Sequence, residues 1–293
     1  MLTSCLCTQA SLLSPQMQEW QLRFKERPIH LHRKIWEWCY ISEALAERGM
    51  LRPGMRGLGF AVGQEPLTAM YARMGASIVA TDLFVEKAEE SGWVSTGQHA
   101  DGFDALNQRQ LCDKTEFNRL VDFRFADMND IGGSFNGSFD GQFDFLWSSC
   151  AFEHLGDIEK GLRFVREAMR CLKPGGFAVH TTEFNLSSDA DTVESGATVL
   201  FRRQDIERLA GELRAEGHAI EFDWDQGEGY ADKTVDLPPY KQHVHLRMQI
   251  EQYVVTSIGL IIRKAGAAHA DATDKRPAPG RLGQLFGRLG GKD

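Results

Sequence analysis

No apolar run in this 293-residue chain approaches the roughly 18–20 residues that a membrane-spanning helix needs. No stretch is rich in Lys or Arg either. With 33 Lys and Arg against 41 Asp and Glu, the formal charge is −8. That disfavours a nucleic-acid partner, whose phosphates call for a basic face. The opening MLTSCLCTQASLLSPQM holds no Lys or Arg and no sustained apolar core, so it does not read as a signal peptide. Cysteine is sparse: Cys5, Cys7, Cys39, Cys112, Cys150 and Cys171 are scattered, and free thiols in a reducing cytoplasm are expected. There is no phosphate-cradling loop ending in Lys-Ser/Thr, and no Tyr-x-x-x-Lys pair follows the core. The second absence weighs against an NAD(P)-dependent oxidoreductase, which stays open as an alternative.

What is present begins at Met55. The run MRGLGFAVGQEPLTAMYARMGASIVATDL reads as strand, glycine-rich turn, helix and strand. Gly57, Gly59 and Gly63 punctuate the turn, Pro66 opens the helix, and Gly75 closes it. Asp82 ends the second strand, about 20 residues on, where a ribose hydroxyl is held in nucleotide-binding sheets. The spacing is Gly-x-Gly-x-x-x-Gly, not the Gly-x-Gly-x-x-Gly of most dinucleotide sites. It supports the fold better than any one ligand.

Upstream, about Leu31–Arg48 reads as an amphipathic helix with Leu31, Ile35, Trp38 and Leu45 on one face. Trp36 and Tyr40 fall off that stripe and are candidates to line a cleft. The stretch between Asp82 and Asn107 is irregular and long for a connection, and it carries Trp93, Gln98 and His99. Further strands are expected at Val121–Phe125, Phe143–Trp147, Phe177–His180, Ala219–Phe222 and Gln252–Ile262, and helices at Lys114–Leu120, Asp157–Leu172 and Arg203–Glu216. Alternating strands and helices imply an α/β domain with a largely parallel sheet. The organisation expected is an N-terminal helical cap over residues 1–50, a core domain over 51–264 and a flexible tail over 265–293, whose composition suits disorder.

The motifs RGLGFAVG, ATDL, ADM, FEHL and LKPGG stand in an order that resembles the class I S-adenosylmethionine-dependent methyltransferases, from about Met55 to Arg263. The resemblance implies a Rossmann-like, seven-stranded, mostly parallel sheet flanked by helices, its last strand antiparallel. It implies S-adenosyl-L-methionine as cofactor. GQEPL followed by Gly-Trp and Gln-His is similar to bacterial members associated with sugar or glycan biosynthesis, which points to a sugar or glycan-precursor hydroxyl as acceptor.

The chemistry assigns roles on that basis. Gly57, Gly59 and Gly63 would let the backbone approach the cofactor, and Asp82 with Leu83 would hold the ribose. Asp127 would accept from the adenine amine, with Met128 against the ring. Ser148 lies at the carboxyl end of a strand, where ligands of open α/β sheets sit. Methyl transfer is an in-line displacement, so the protein has mainly to align the groups and exclude water. A hydroxyl acceptor also needs a base, and Glu153 and His154 are the candidates. The competing reading is that they only shape the start of the next helix. Trp93, Glu183, His243 and His245 are candidate substrate contacts. The His-x-His pair would put both rings on one strand face; with Glu183 or His154 it could hold a divalent metal, but no metal is assigned. Asp236-Leu-Pro-Pro-Tyr240 only superficially resembles the Asp-Pro-Pro-Tyr motif of base-amine methylating enzymes: Leu237 intervenes, and the segment lies far past the fourth strand. A fold that binds the cofactor without turnover is a further alternative. The partner expected is a small molecule, with no nucleic acid and no membrane span, in the cytoplasm.

Overall fold

The computed structural model of the chain describes residues 1–26, 30–84, 100, 102–240 and 243–266. Among these, the strands are β1 (Ser4–Leu6), β2 (Arg56–Phe60), β3 (Ser77–Asp82), β4 (Val121–Phe125), β5 (Phe143–Ser149), β6 (Leu172–Asn185), β7 (Ala219–Ile220), β8 (Phe222–Asp223), β9 (Val235–Asp236), β10 (Arg247–Ile250) and β11 (Tyr253–Arg263). The helices are α1 (Gln9–Leu12), α2 (Pro15–Arg23), α3 (Arg33–Ala46), α4 (Leu67–Arg73), α5 (Lys114–Leu120), α6 (Ile131–Phe135), α7 (Ile158–Ala168) and α8 (Arg203–Ala215). No described helix is long and apolar enough to cross a membrane.

The central sheet runs β4-β3-β2-β5-β6-β11, and its first five strands are parallel. β11 joins β6 antiparallel over a long register, Val255 opposite Asn185 through Arg263 opposite Phe177. This is the expected Rossmann-like core with its antiparallel last strand. The strand count is larger, at eleven. Part of the excess comes from the N-terminus: β1 pairs antiparallel with β11 through Cys5 and Gly259, and parallel with β8 through Ser4 and Phe222. Residues 1–50 therefore supply a strand as well as helices. Short β9 and β10 form a further ribbon against β11.

The sheet is covered on both faces, as parallel strands require. One apolar layer joins α2, α3, α4 and α5 to Phe145, Trp147 and Val179. The other joins α6, α7 and α8 to Leu58, Phe60, Leu146 and Ala178. Adjacent β5 residues point to opposite faces, so Trp147 and Leu146 belong to different layers. Helix α7 shows why the sequence was readable here: Asp157 caps it by accepting from the Lys160 N–H at 2.8 Å, and Ile158, Leu162 and Val165 are buried on one stripe.

Helix α3 differs from its expected amphipathic form. It is buried around most of its circumference, between the sheet and α2. Trp36 and Tyr40 do not line a cleft. They are fully buried, their rings stack at 4.7 Å, and they are anchored to Ser11 Oγ and the Thr3 carbonyl. The N-terminal segment β1–α1 covers the side of the helix that would otherwise face water. An apolar side chain of this size is stabilised by about 1.5–3 kcal/mol on burial, enough to hold that segment down.

Candidate functional site

The carboxyl ends of β2, β3 and β4 form the first half of the site. After Phe60 the chain turns through Ala61 at φ 45° and Gly63 at φ 52°. Ala61 occupies the left-handed region without being glycine, a strain of order 1–3 kcal/mol that clusters at functional turns. The turn is pinned by Asp82, which is buried. Its carboxylate accepts from Gly63 N–H at 3.0 Å, Ala100 N–H at 3.1 Å and Leu83 N–H at 2.8 Å. The neighbouring strand end is tied in by Ala126 N–H, which donates to the Asp82 carbonyl at 2.8 Å. Asp127 follows, half-buried, and its Oδ1 accepts from Asn129 N–H at 2.9 Å. Two acidic side chains thus sit side by side at adjacent strand ends.

Four expected cofactor contacts have protein neighbours of their own. Gly57 and Gly59 leave no room for a side chain. A Cβ on Gly57 would stand 2.3 Å from the Phe145 ring, and one on Gly59 2.4 Å from Trp147. These glycines let two aromatic rings cross the strand. The Ser148 hydroxyl meets His180 Nδ1 at 2.7 Å and is fully buried. Ser149, one residue on, takes the opposite face and donates toward Glu37 at 3.4 Å. Met128 is 7% exposed and belongs to the apolar cluster of Ile131 and Phe135.

The second half of the site lies where β5, β6 and β11 end beneath α3. Cys150 leaves β5 at φ 42°, a left-handed kink that turns the chain into a 3-10 turn at Phe152–His154. This carries Glu153 into the interior, where it is fully buried. Its Oε2 accepts from Thr182 Oγ1 at 2.9 Å, and its Oε1 has no hydrogen-bond partner among the described residues. Burial raises the Glu153 pKa, against the lowering influence of His154 and with a further push from Glu183. His154 itself is directed elsewhere: Nδ1 lies 2.8 Å from the Ala197 carbonyl and 3.2 Å from Thr198 Oγ1, while Nε2 stands 3.9 Å from Glu153. Of the two candidate bases, Glu153 is the one inside the site.

Facing Glu153 is an ion-pair cluster that the sequence reading missed. Glu37 on α3 is fully buried and accepts from Arg33 at 3.0 Å, Ser257 Oγ at 2.5 Å and Cys150 Sγ at 3.0 Å; Lys34 lies 3.0 Å from it. Burial alone would raise its pKa; Lys34, Arg33 and the Ser257 bond outweigh that and hold it at about 2. Arg33 also reaches Glu183 at 2.5 Å, and Lys34 reaches Glu65 at 3.4 Å. Burial raises the Glu65 carboxyl, with Lys34 opposing. A signal for Glu37 was available: a carboxylate between Trp36 and Trp38, four residues after Arg33, is costly in a buried helix unless the cations come with it.

Glu183 is therefore in the site. His245 borders it: His245 N–H and carbonyl bond the backbone of Leu31 and Arg33. Its Nδ1 lies 2.7 Å from the fully buried Asp236, and its ring sits 4.6 Å from that of His32. His243 is exposed, and the segment around the two histidines is a bend and an isolated bridge instead of a strand, so they do not share a strand face. Among the described residues no group of three or more His, Cys, Asp or Glu is arranged to hold a metal. Trp93 lies outside the described residues, as do Gln98 and His99.

Sheet order and the pinned glycine turn at the carboxyl ends of β2 and β3 are those of a Rossmann-like α/β domain. Residues 58–180 match the methyltransferase domain family model. No curated protein matches the chain. Solved structures similar to it include the 1,6-didemethyltoxoflavin-N1-methyltransferase of Burkholderia thailandensis, at 15% identity, covering 76% of each chain with a TM-score of 0.46. The [4+2]-cyclase SpnF is similar at 19% identity, over 78% of this chain and 80% of its own, with a TM-score of 0.47. A methyltransferase from Aquifex aeolicus is similar at 14% identity, over 87% of this chain and 95% of its own, with a TM-score of 0.41.

Proposed function

We propose that the chain transfers a methyl group to a small polar acceptor seated beneath α3, with Glu153 taking the acceptor's proton. The observation that carries this reading is the buried Glu153 Oε1, which has no hydrogen-bond donor among the described residues while Oε2 is held by Thr182. An oxygen desolvated and unpaired in this way costs about 1–3 kcal/mol unless something donates to it, and an acceptor X–H would do so. Bound S-adenosylmethionine supplies a methyl on a positively charged sulfur, ready for displacement. The chain's own residues then have to hold, orient and dry the reactants.

For the cofactor we assign Gly63, Asp82, Leu83 and Asp127. The fit is chemical: Asp82 and Asp127 present carboxylate acceptors at adjacent strand ends, suited to ribose hydroxyls and an adenine amine. Ala61 and Gly63 bring the backbone close to them. Glu183 and His245 are assigned to the acceptor. A hydroxyl of a sugar or glycan precursor makes the fullest use of Glu153, because it must lose a proton as the methyl arrives. The acidic formal charge supports a small-molecule acceptor over nucleic acid.

The direct test is titration calorimetry with S-adenosylmethionine, S-adenosylhomocysteine and NADH, followed by Glu153→Gln in a methyl-transfer assay over a panel of small hydroxyl and amine compounds. Binding of the first two ligands, and loss of turnover without loss of binding in the variant, is the expected result. Full turnover in Glu153→Gln removes it as the base.

A further inference from the structure

The buried cluster beneath α3 holds more acids than cations, and burial raises the pKa of two of those acids, Glu65 and Glu153. Among its described residues, Glu37, Glu65 and Glu183 pair with Arg33 and Lys34, while Glu153 stands 3.9 Å from His154 Nε2. Both cations are committed. Arg33 bonds Glu37 and Glu183, and Lys34 lies against Glu37 and Glu65. His32, next to Arg33, adds no cation, since burial, His245 and Arg33 depress its pKa to about 3 and keep its ring neutral.

Among the described residues, three carboxylate oxygens in this cluster have no hydrogen-bond partner: Glu65 Oε2, Glu153 Oε1 and Glu183 Oε2. Glu153 is fully buried and Glu183 is 5% exposed. They come from different elements, the turn after β5 and the end of β6, and the charge of Glu183 acts on Glu153. Excess negative charge and unpaired acceptors in one dry place are complementary to a single kind of group, a cation with several N–H donors. A neutral polyol could satisfy the oxygens but would leave the charge uncompensated.

We infer that the acceptor of this site carries an ammonium group, held between Glu153 and Glu183. The class is a small amine-bearing polar molecule, such as an amino alcohol or an amino sugar. This rests on the reading of the cluster as the acceptor site and narrows it. Arg33 acts here as a positioning residue: by holding Glu183 Oε1 it leaves Oε2 for the ligand. The cofactor's own sulfonium is the competing explanation for the charge excess, and the experiment has to separate the two.

The probe is ethanolamine against its neutral isostere ethylene glycol, titrated calorimetrically into the protein saturated with S-adenosylhomocysteine, which lacks the sulfonium charge. Ethanolamine is expected to bind with a Kd of about 1 mM or tighter, at least about tenfold more tightly than ethylene glycol. Glu183→Gln and, separately, Glu153→Gln should each weaken it by about tenfold while leaving the melting temperature and S-adenosylhomocysteine affinity near those of the parent. Equal binding of the two probes, no ethanolamine binding, or binding indifferent to both variants overturns the inference. If ethanolamine fails but the enzyme methylates glucose, the methyl-transfer reading stands and this one falls. If S-adenosylhomocysteine itself does not bind, the cofactor assignment fails, and the ethanolamine titration of the free protein still decides this inference in the same way.

Discussion

Thr182 donates its hydroxyl to Glu153 at 2.9 Å, and the fully buried carboxylate it holds has no partner for its other oxygen among the described residues. A fixed carboxylate with one acceptor open is what a general base requires: orientation from one side and capacity on the other.

Replacing Glu153 by Gln should lower turnover by roughly 10²–10⁴-fold with S-adenosylmethionine affinity unchanged. Burial raises its pKa, so activity in the parent should fall away with decreasing pH at values above the ordinary carboxylate range. The sign follows from the role, because the base works only when unprotonated. A pH–rate profile that keeps this acid limb in Glu153→Gln would assign the limb to another group.

Asp82→Ala should lower S-adenosylmethionine affinity by at least about tenfold, since charge-assisted hydrogen bonds are the strong ones. It also frees the N–H groups of Gly63 and Ala100, so a lower melting temperature should accompany the loss. Unchanged affinity by calorimetry would place the ribose elsewhere.

Ser148→Ala should leave cofactor affinity unchanged but destabilise the fold by about 1–3 kcal/mol, because it orphans a ring nitrogen of buried His180. Burial holds the His180 pKa down to about 3. Its contribution to stability is therefore complete above the unfolded value near 6.5 and is lost as pH falls from there toward 3. Denaturant melts of His180→Phe should lack that pH dependence. A Ser148→Ala protein with weakened cofactor binding would restore Ser148 to the site.

Glu37→Ala should cost about 3–5 kcal/mol in denaturant unfolding, since it leaves Arg33 and Lys34 buried beside a vacated partner. In the parent, Glu37 titrates near 2 when folded, below its unfolded 4.5. Stability from this group is present above 4.5 and is lost as pH drops toward 2. A parent whose stability stays flat across that window would contradict the buried pairing.

Gly59→Ala should destabilise by about 1–3 kcal/mol or more through the collision with Trp147, with any loss of cofactor affinity following from the altered fold. A stable Gly59→Ala protein with weak cofactor binding would mean that the glycine faces the ligand after all.

The sequence by itself determined the parts that are local. The glycine turn, the acid at the end of β3, the capped stripe of α7 and the strand order were legible because each is written in a few neighbouring residues with a fixed period. The facing of Ser148 was not, since one residue of parity decides which side of a strand a hydroxyl takes, and only the packed sheet sets that parity. Nor did the spacing show that Gly57 and Gly59 serve Phe145 and Trp147, whose rings arrive from a strand nearly ninety residues away. The cluster of Glu37, Glu65, Glu153 and Glu183 comes from four separate segments. Glu153 and Glu183 were legible singly as candidates, but nothing local tied them to Glu37 and Glu65. Burying α3 against the ends of β5, β6 and β11 removed the water, and desolvation turned those charges into a site.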